Sequence, residues 1–186
     1  MYKLAIDAGH GMNTAGKRCL KSLDPAETRE WWLNQRIASK LEALLARYDG
    51  ISVMRMDDVT GVVDVSISGA SSRQKKANAW GADFYLSIHH NAGINGGSGG
   101  GIIVIVYPTA EKNTRDWQRV IYATLLAEGG LKGNRATPLA KKDLAVLRET
   151  SMAAVLVECG FMDSSVDVPV ILSDDYARSI DRKSVV

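Results

Sequence analysis

The sequence of 186 residues is poor in several features, and each shortage excludes a class of protein. Its two cysteines, Cys19 and Cys159, lie far apart and outside any CxxC motif, so a disulfide framework is not expected. The longest apolar run, GIIVIVYP, is far too short to span a bilayer. The N-terminal MYKLAIDAGH lacks the apolar core of a secretory signal. We therefore expect no membrane insertion and no export signal within this sequence.

An excess of charge of one sign is also missing. The formal net charge is +2, from 23 basic and 21 acidic residues, and the basic residues are spread along the chain. Nucleic-acid-binding proteins are usually strongly basic with clustered Lys and Arg, so no nucleic-acid partner is expected. The length and the 46% hydrophobic content are typical of one soluble domain covering residues 1–186, which we expect to be a monomer.

Apolar strand patterns alternate with helical patterns along the chain, which predicts a single α/β domain with a mostly parallel twisted sheet and helices on both faces. Strands are predicted at 3–7, 51–56, 83–89, 101–108 and 153–158, and helices at 25–48, 71–81 and 111–128. The first helix is expected to begin at Asp24-Pro25, with Glu27 in its first turn. The segment KKDLAVLRE fits a strand or a helical turn, and a last helix is expected to begin after SSVDVP or after SDD and to run toward residue 183. The segment at 57–70 is expected to be irregular.

The three histidines of the chain all follow apolar strands. His10 follows KLAID, His89 and His90 follow FYLSI, and Glu158 ends the apolar run AAVLV in the same way. Parallel strands end at one edge of a sheet, where α/β proteins bind ligands. Each residue taken alone is better explained by a loop or capping role, but together they predict a site at that edge.

Glu30 adds a carboxylate to this group. It lies three residues before Leu33 and seven before Ile37, on the inward-facing stripe of the predicted first helix. A carboxylate on a buried face requires a cation or hydrogen-bond donors. Two imidazoles and a carboxylate form the ligand set of several catalytic zinc sites. Glu27, one helical turn earlier, is an alternative ligand.

The segments IDAGHG, ETREWWLN, SIHHNAG and VLVECGFMDS, in this order, resemble the four signature segments of the zinc-dependent N-acetylmuramoyl-L-alanine amidases of the Amidase_3 type. This family includes cell-wall autolysins and phage endolysins, and the resemblance covers nearly the whole chain. It implies hydrolysis of the amide between N-acetylmuramic acid and L-alanine of the stem peptide. Peptidoglycan is then the partner and the cell wall the place of action, reached on release from the cytoplasm or through a signal outside this sequence.

The resemblance also implies roles for single residues. It makes His10, Glu30 and His89 the ligands of a Zn²⁺ cofactor and Glu158 the catalytic base that takes a proton from the attacking water. Cys159, beside Glu158 on the opposite side of the strand, is expected to be a buried structural thiol.

Contacts with the stem peptide are the least specific expectation. Adjacent residues of a strand point to opposite sides, so His90 is not expected to share an ion with the preceding histidine. His90, Asn91, Lys142 and Arg148 are candidates for substrate binding, and each is equally compatible with a surface or capping role. The glycine-rich loop 96–101 is compatible with a lid or with a simple connection.

Two other functions fit the same residues. A zinc peptidase of related architecture would use the same ligands and base. A non-catalytic wall-binding relative belongs to a different class and would be expected to lack a ligand or the base, whereas all four residues are present here.

Overall fold

A six-stranded mixed sheet forms the centre of the protein. The structure, a computed structural model, describes residues 1–66, 68–69 and 71–182. The strands are β1 (Tyr2–Ala8), β2 (Ile51–Arg55), β3 (Phe84–Asn91), β4 (Ile103–Val106), β5 (Leu139–Lys141) and β6 (Ala153–Phe161). Their order in the sheet is β2-β1-β3-β6-β4-β5. The strands β2, β1, β3 and β6 are parallel, and β4 runs antiparallel to β6 while pairing in parallel with β5.

Helices cover both faces of the sheet, as predicted for an α/β domain. They are α1 (Glu30–Leu45), α2 (Arg73–Trp80), α3 (Lys112–Gly129), α4 (Ala145–Arg148), α5 (Asp167–Ile171) and α6 (Asp174–Arg182). The helices α1, α3 and α6 pack on one face, and α2 and α4 contribute to the core on the other. Within the described part of the chain, no helix is long and apolar enough to cross a membrane.

The central strands are buried on both sides, which explains their apolar sequences. In β6, Val155 and Val157 face the larger core with α1 and α3, while Ala154 and Leu156 face the smaller core with α2 and α4. All four residues of β4 are buried, which confirms the expectation for GIIVIVYP. Cys159 is also buried, and burial raises the pKa of its thiol.

The first helix begins at Glu30, so the predicted start at residue 25 is wrong. The Asp24 carboxylate accepts hydrogen bonds from the backbone N–H groups of Ala26 and Thr28, at 3.1 and 2.7 Å. Glu27 has a positive φ of 49°, which is incompatible with a continuous right-handed helix. An aspartate that bonds the backbone just ahead of it favours a turn over a helix, and the chain turns here before α1 starts.

Two segments that the sequence left open are also settled. KKDLAVLRE carries the end of β5 and the short helix α4. The last helix is two helices, because α5 ends at Ile171 and α6 begins at Asp174. Residues 57–66, 68 and 69 lie outside helices and strands, as expected, whereas positions 67 and 70 and the predicted helix end near 183 lie outside the described residues.

Candidate metal centre

Three side chains from separate elements meet at one edge of the sheet. His10 follows β1, Glu30 is the first residue of α1, and His89 lies near the end of β3. One potential ligand atom from each lies within 4.8 Å of the other two. His89 Nδ1 is 3.0 Å from Glu30 Oε1, and His10 Nε2 is 3.4 Å from Glu30 Oε2. Among the described residues this is the group of three or more His, Cys, Asp or Glu that is spaced to hold a metal ion.

Strand register explains why the two histidines meet. β1 and β3 are parallel neighbours, with Ala8 opposite Ile88. His10 lies two residues beyond Ala8 and His89 one residue beyond Ile88, so both histidines lie at the same edge of the sheet. The Gly9 N–H donates to Ile88 O at 2.9 Å and continues this pairing. A Cβ on Gly9 would lie 2.1 Å from the His89 ring, so only glycine leaves room for the imidazole.

The Glu30 carboxylate is almost completely buried, with 1% of its surface exposed. Burial alone would raise its pKa, but the hydrogen bond from His89 and the positive charge of nearby groups outweigh burial and lower the pKa to about 2. Lys17 Nζ lies 4.0 Å from Glu30 Oε2. Within the described structure Oε2 has no hydrogen-bond partner. A buried, ionised oxygen without a donor fits a site for a cation.

The protonation of His10 also suits metal binding. Burial lowers the pKa of His10 to about 4; the negative charge of Glu30 opposes this change, and the charges of His89 and Lys17 support it. At neutral pH its imidazole is therefore uncharged and has a free lone pair, which is the form that binds metals. Burial would likewise lower the pKa of His89, but the hydrogen bond and the charge of Glu30 raise it.

Glu27, the alternative ligand, lies outside this group. Its carboxylate is 3.3 Å from Arg18 Nε and 3.9 Å from Lys21 Nζ. Glu27 lies within the turn that begins at Asp24 and precedes α1, so the two glutamates are not on successive turns of one helix. Of the two glutamates, Glu30 lies next to His10 and His89, and Glu27 does not.

Glu158 lies beside the three side chains. Its Cα is paired with that of His89 across β3 and β6. Its Oε2 is buried and, among the described residues, has no hydrogen-bond partner. Burial raises the pKa of Glu158, the negative charge of Glu30 raises it further, and His89 opposes both. A carboxyl group with a raised pKa at a site of this kind is suited to taking up and releasing a proton.

His90 points away from the group formed by His10, Glu30 and His89. It is 3% exposed, and its Nδ1 lies 2.8 Å from Asn34 Oδ1. Burial lowers the pKa of His90 to about 3, so it is neutral. Its backbone N–H donates to Glu30 Oε1 at 3.2 Å and so supports the carboxylate through the main chain.

The other predicted substrate contacts have different surroundings. Asn91 Oδ1 accepts the N–H of Ala92 at 2.8 Å. Lys142 is exposed, and its charge acts on Glu158 by lowering that residue's pKa. Arg148 forms exposed ion pairs with Asp143 and Glu149.

The glycine-rich segment after β3, residues 93–101, is hydrogen-bonded to the chain that follows β6. Asp163 Oδ2 accepts the three successive N–H groups of residues 93–95 at 2.7–2.8 Å. Gly97 O accepts the N–H of Ser165 at 3.0 Å, and the Gly101 N–H donates to Asp167 Oδ2 at 2.7 Å. These bonds hold the connection from β3 to β4 at both of its ends.

Sequence reasoning missed three residues of the site. Asn34 donates from Nδ2 to Gly9 O at 3.0 Å, and its position four residues after Glu30 was a signal that the two share a helix face. Lys17 and Arg73 had no comparable signal, because they reach the site through contacts between distant segments. Arg73 lines a cleft of about 410 Å³ together with His10, His89 and Asp64.

Comparison with known proteins points to one family. The Amidase_3 family model, described as N-acetylmuramoyl-L-alanine amidase, matches residues 4–185. The N-acetylmuramoyl-L-alanine amidase CwlM of Bacillus licheniformis is 31% identical over 182 residues, which are 98% of this chain and 65% of that protein. The endolysin of Bacillus phage SPP1 is 30% identical over 191 residues, which are 97% of this chain and 62% of that protein. The chain thus spans slightly under two thirds of the length of these relatives.

Solved structures show the same fold. An N-acetylmuramoyl-L-alanine amidase from Clostridium difficile 630 superposes with a TM-score of 0.84 at 27% identity, over 97% of this chain and 90% of the other. The amidase AmiC2 of Nostoc punctiforme superposes with a TM-score of 0.78 at 26% identity, over 97% and 91%. From the family match over residues 4–185 we conclude that the chain belongs to the Amidase_3 family of N-acetylmuramoyl-L-alanine amidases.

Proposed function

We propose that the protein is a zinc-dependent amidase that hydrolyses the bond between N-acetylmuramic acid and the L-alanine of the peptidoglycan stem peptide, and that it acts on the cell wall. The observation that carries the proposal is the convergence of His10, Glu30 and His89 within 4.8 Å, beside a fourth ionisable residue, Glu158. Membership of the amidase family supports the choice of bond.

The donor set of the site fits zinc. Two imidazole nitrogens and one carboxylate oxygen are the ligands of several catalytic zinc sites, which keep a fourth position open. The unpartnered Oε2 of Glu30 is a buried anion that such an ion would neutralise. His10, Glu30 and His89 would hold the zinc ion, which when bound would lower the pKa of a bound water to about 7 and polarise the carbonyl of the scissile amide.

Glu158 performs the proton transfers. As the attacking water forms a bond to the lactyl carbonyl carbon, Glu158 accepts a proton from that water. It then delivers this proton to the alanine nitrogen as the carbon–nitrogen bond breaks, which leaves a lactyl carboxylic acid and a free amine. The acid then gives its remaining proton to the amine, and the products are a carboxylate and an ammonium group. Its raised pKa suits both steps, because a carboxyl group that is too acidic would not protonate the leaving nitrogen.

Several surrounding groups keep the site in place during this chemistry. The N–H of His90 and the ring of His89 hold Glu30 Oε1. The amide of Asn34 bonds both Gly9 and His90, and so links the turn after β1 to β3. Lys142 is a cation within electrostatic reach of Glu158, and we propose that it contacts a carboxylate of the stem peptide. Asn91 and Arg148 stay predictions as substrate contacts.

The function is tested most simply on purified peptidoglycan. Digestion by the zinc-loaded protein is expected to release free N-terminal L-alanine and to leave the glycan strands intact, because the amide is the bond attacked. Labelling of new amino ends and of new reducing sugar ends measures the two outcomes. Amino ends at other residues would instead identify a peptidase, and new reducing ends would identify a glycosidase.

The metal ligands are tested by zinc content. We expect about one zinc per chain in the wild type, as three-ligand catalytic sites imply. The variants His89→Ala and Glu30→Gln are expected to lose most of it, since each removes one of three ligands. The matched control Glu27→Gln should retain the wild-type content, because Glu27 is paired with Arg18 and Lys21. Elemental analysis that finds zinc lost from Glu27→Gln and retained in Glu30→Gln would reverse the assignment.

Glu158→Gln separates the proton transfers from metal binding. The substitution keeps the shape of the side chain and removes the proton acceptor, so the rate of wall lysis is expected to fall by about 10²–10⁴-fold. The zinc content should stay at the wild-type level, because His10, Glu30 and His89 remain. Glu111→Gln, an exposed carboxylate at the start of α3, is the control and should keep full activity. Loss of zinc from Glu158→Gln would make this residue a ligand, and full activity would place the proton transfer elsewhere.

A further inference from the structure

The backbone of His10 has an unusual conformation. Its φ is +66°, in the left-handed region that residues with a side chain seldom occupy. This conformation is strained for an L-residue, so other contacts must hold it. His10 comes directly after Gly9, whose backbone lies close to the His89 ring. The direction of the His10 imidazole is thus set by a turn that would not be stable by itself.

One guanidinium holds this turn from the side of α2. Arg73 Nη2 donates to the carbonyl oxygen of His10 at 2.9 Å, and Nη1 donates to that of Ala8 at 2.7 Å. Arg73 therefore bridges the two carbonyls on either side of Gly9. Its Nε donates to Val65 O at 2.7 Å, which fixes the plane of the guanidinium.

Arg73 is itself fixed by charge and burial. Its side chain is 2% exposed and forms ion pairs with the buried Asp7 and with Asp64, the latter at 3.1 Å. Burial would raise the pKa of Asp7, but the charges of Arg73 and His89 and the hydrogen bonds from Arg73 and Ser87 together outweigh burial and lower it, so the pair is ionised. Asp7 Oδ2 also accepts the hydroxyl of Ser87 at 2.8 Å. A buried arginine with this many fixed acceptors has little freedom to move.

The opposite side of the turn is held independently. Gly9 O accepts a hydrogen bond from Asn34 of α1 at 3.0 Å. All three successive carbonyls, of Ala8, Gly9 and His10, are thus bound by side chains from two different helices. Among the described residues, Arg73 is the one that bonds the carbonyl of the histidine itself.

We propose that Arg73 is a positioning residue that sets the affinity of the site for zinc, by holding His10 in the left-handed conformation that turns its imidazole toward Glu30 and His89. This inference rests on the proposed zinc site and adds a residue that does not touch the ion. Without the two carbonyl bonds, the turn relaxes toward a more common conformation, and His10 must be reoriented each time zinc binds. The cost of that reorientation appears as weaker binding.

The test is a zinc titration of Arg73→Lys against a competing chromogenic chelator, on protein first stripped of metal. Lysine keeps the positive charge beside Asp7 but cannot reproduce the planar set of bonds to Ala8 and His10. We expect the dissociation constant for zinc to rise by about 10–100-fold, the usual effect of losing a residue that orients a metal ligand. Wall lysis by the variant should recover as zinc is added in excess, which distinguishes weak metal binding from lost chemistry.

Arg55→Lys is the matched control. Arg55 is also a buried arginine with an aspartate partner, but its Nε and Nη2 donate to Asp57 and Gln35 and not to the turn after β1. The zinc affinity of the Arg55→Lys variant should match that of the wild type. Circular dichroism of the metal-free variants reports whether each is folded, and Arg73→Lys is expected to be folded.

His10→Ala in the same titration separates this proposal from the zinc site itself. If His10→Ala binds zinc weakly while Arg73→Lys binds it with wild-type affinity, the role of Arg73 is wrong and the zinc site stands. Equal affinities of the wild type and His10→Ala would overturn both. If metal-free Arg73→Lys does not fold, the guanidinium serves the whole fold, and the positioning role is overturned.

Discussion

The burial of the Glu30 carboxylate is the constraint on which the rest of the site depends. An ionised carboxylate removed from water is stable only if its oxygens are satisfied, since the desolvation penalty amounts to several kcal/mol. Oε1 is satisfied by the ring of His89 and the N–H of His90. Oε2 faces His10 and Lys17 at 3.4 and 4.0 Å and, within the described structure, has no hydrogen bond. A bound cation would complete this arrangement.

The sheet provides the positions that this carboxylate requires. Parallel pairing of β1 with β3, and of β3 with β6, brings the ends of three strands to one edge. The residues that follow or occupy those ends, His10, His89 and Glu158, are then brought to the same edge, where His10 also takes up its left-handed backbone conformation. The same register places Glu158 opposite His89, and Glu158 stays outside the group of three that could hold an ion.

Much of the fold and of the site was predictable from the sequence, because apolar runs indicate strands and the polar residues after them indicate where the strands end. The α/β fold, the convergence of the histidines and the choice of Glu30 as an inward-facing carboxylate follow from such local patterns. The start of α1 was not predictable, because the hydrogen bonds that the Asp24 carboxylate accepts from the backbone compete with the helix that Pro25 and Glu27 suggest. The bonds from Arg73 to the turn after β1 span more than sixty residues, and no local pattern encodes them.

The most direct test of the central claim, that His10, Glu30 and His89 bind one zinc ion beside Glu158, is a crystal structure of the zinc-loaded protein with anomalous data collected at the zinc absorption edge. The account predicts a single strong peak in the cleft, at about 2.0–2.2 Å from one nitrogen of each histidine and from an oxygen of Glu30. Glu158 should lie nearby without bonding the ion. A peak bonded to Glu158 in place of Glu30, or a peak elsewhere on the protein with this site empty, would contradict the account.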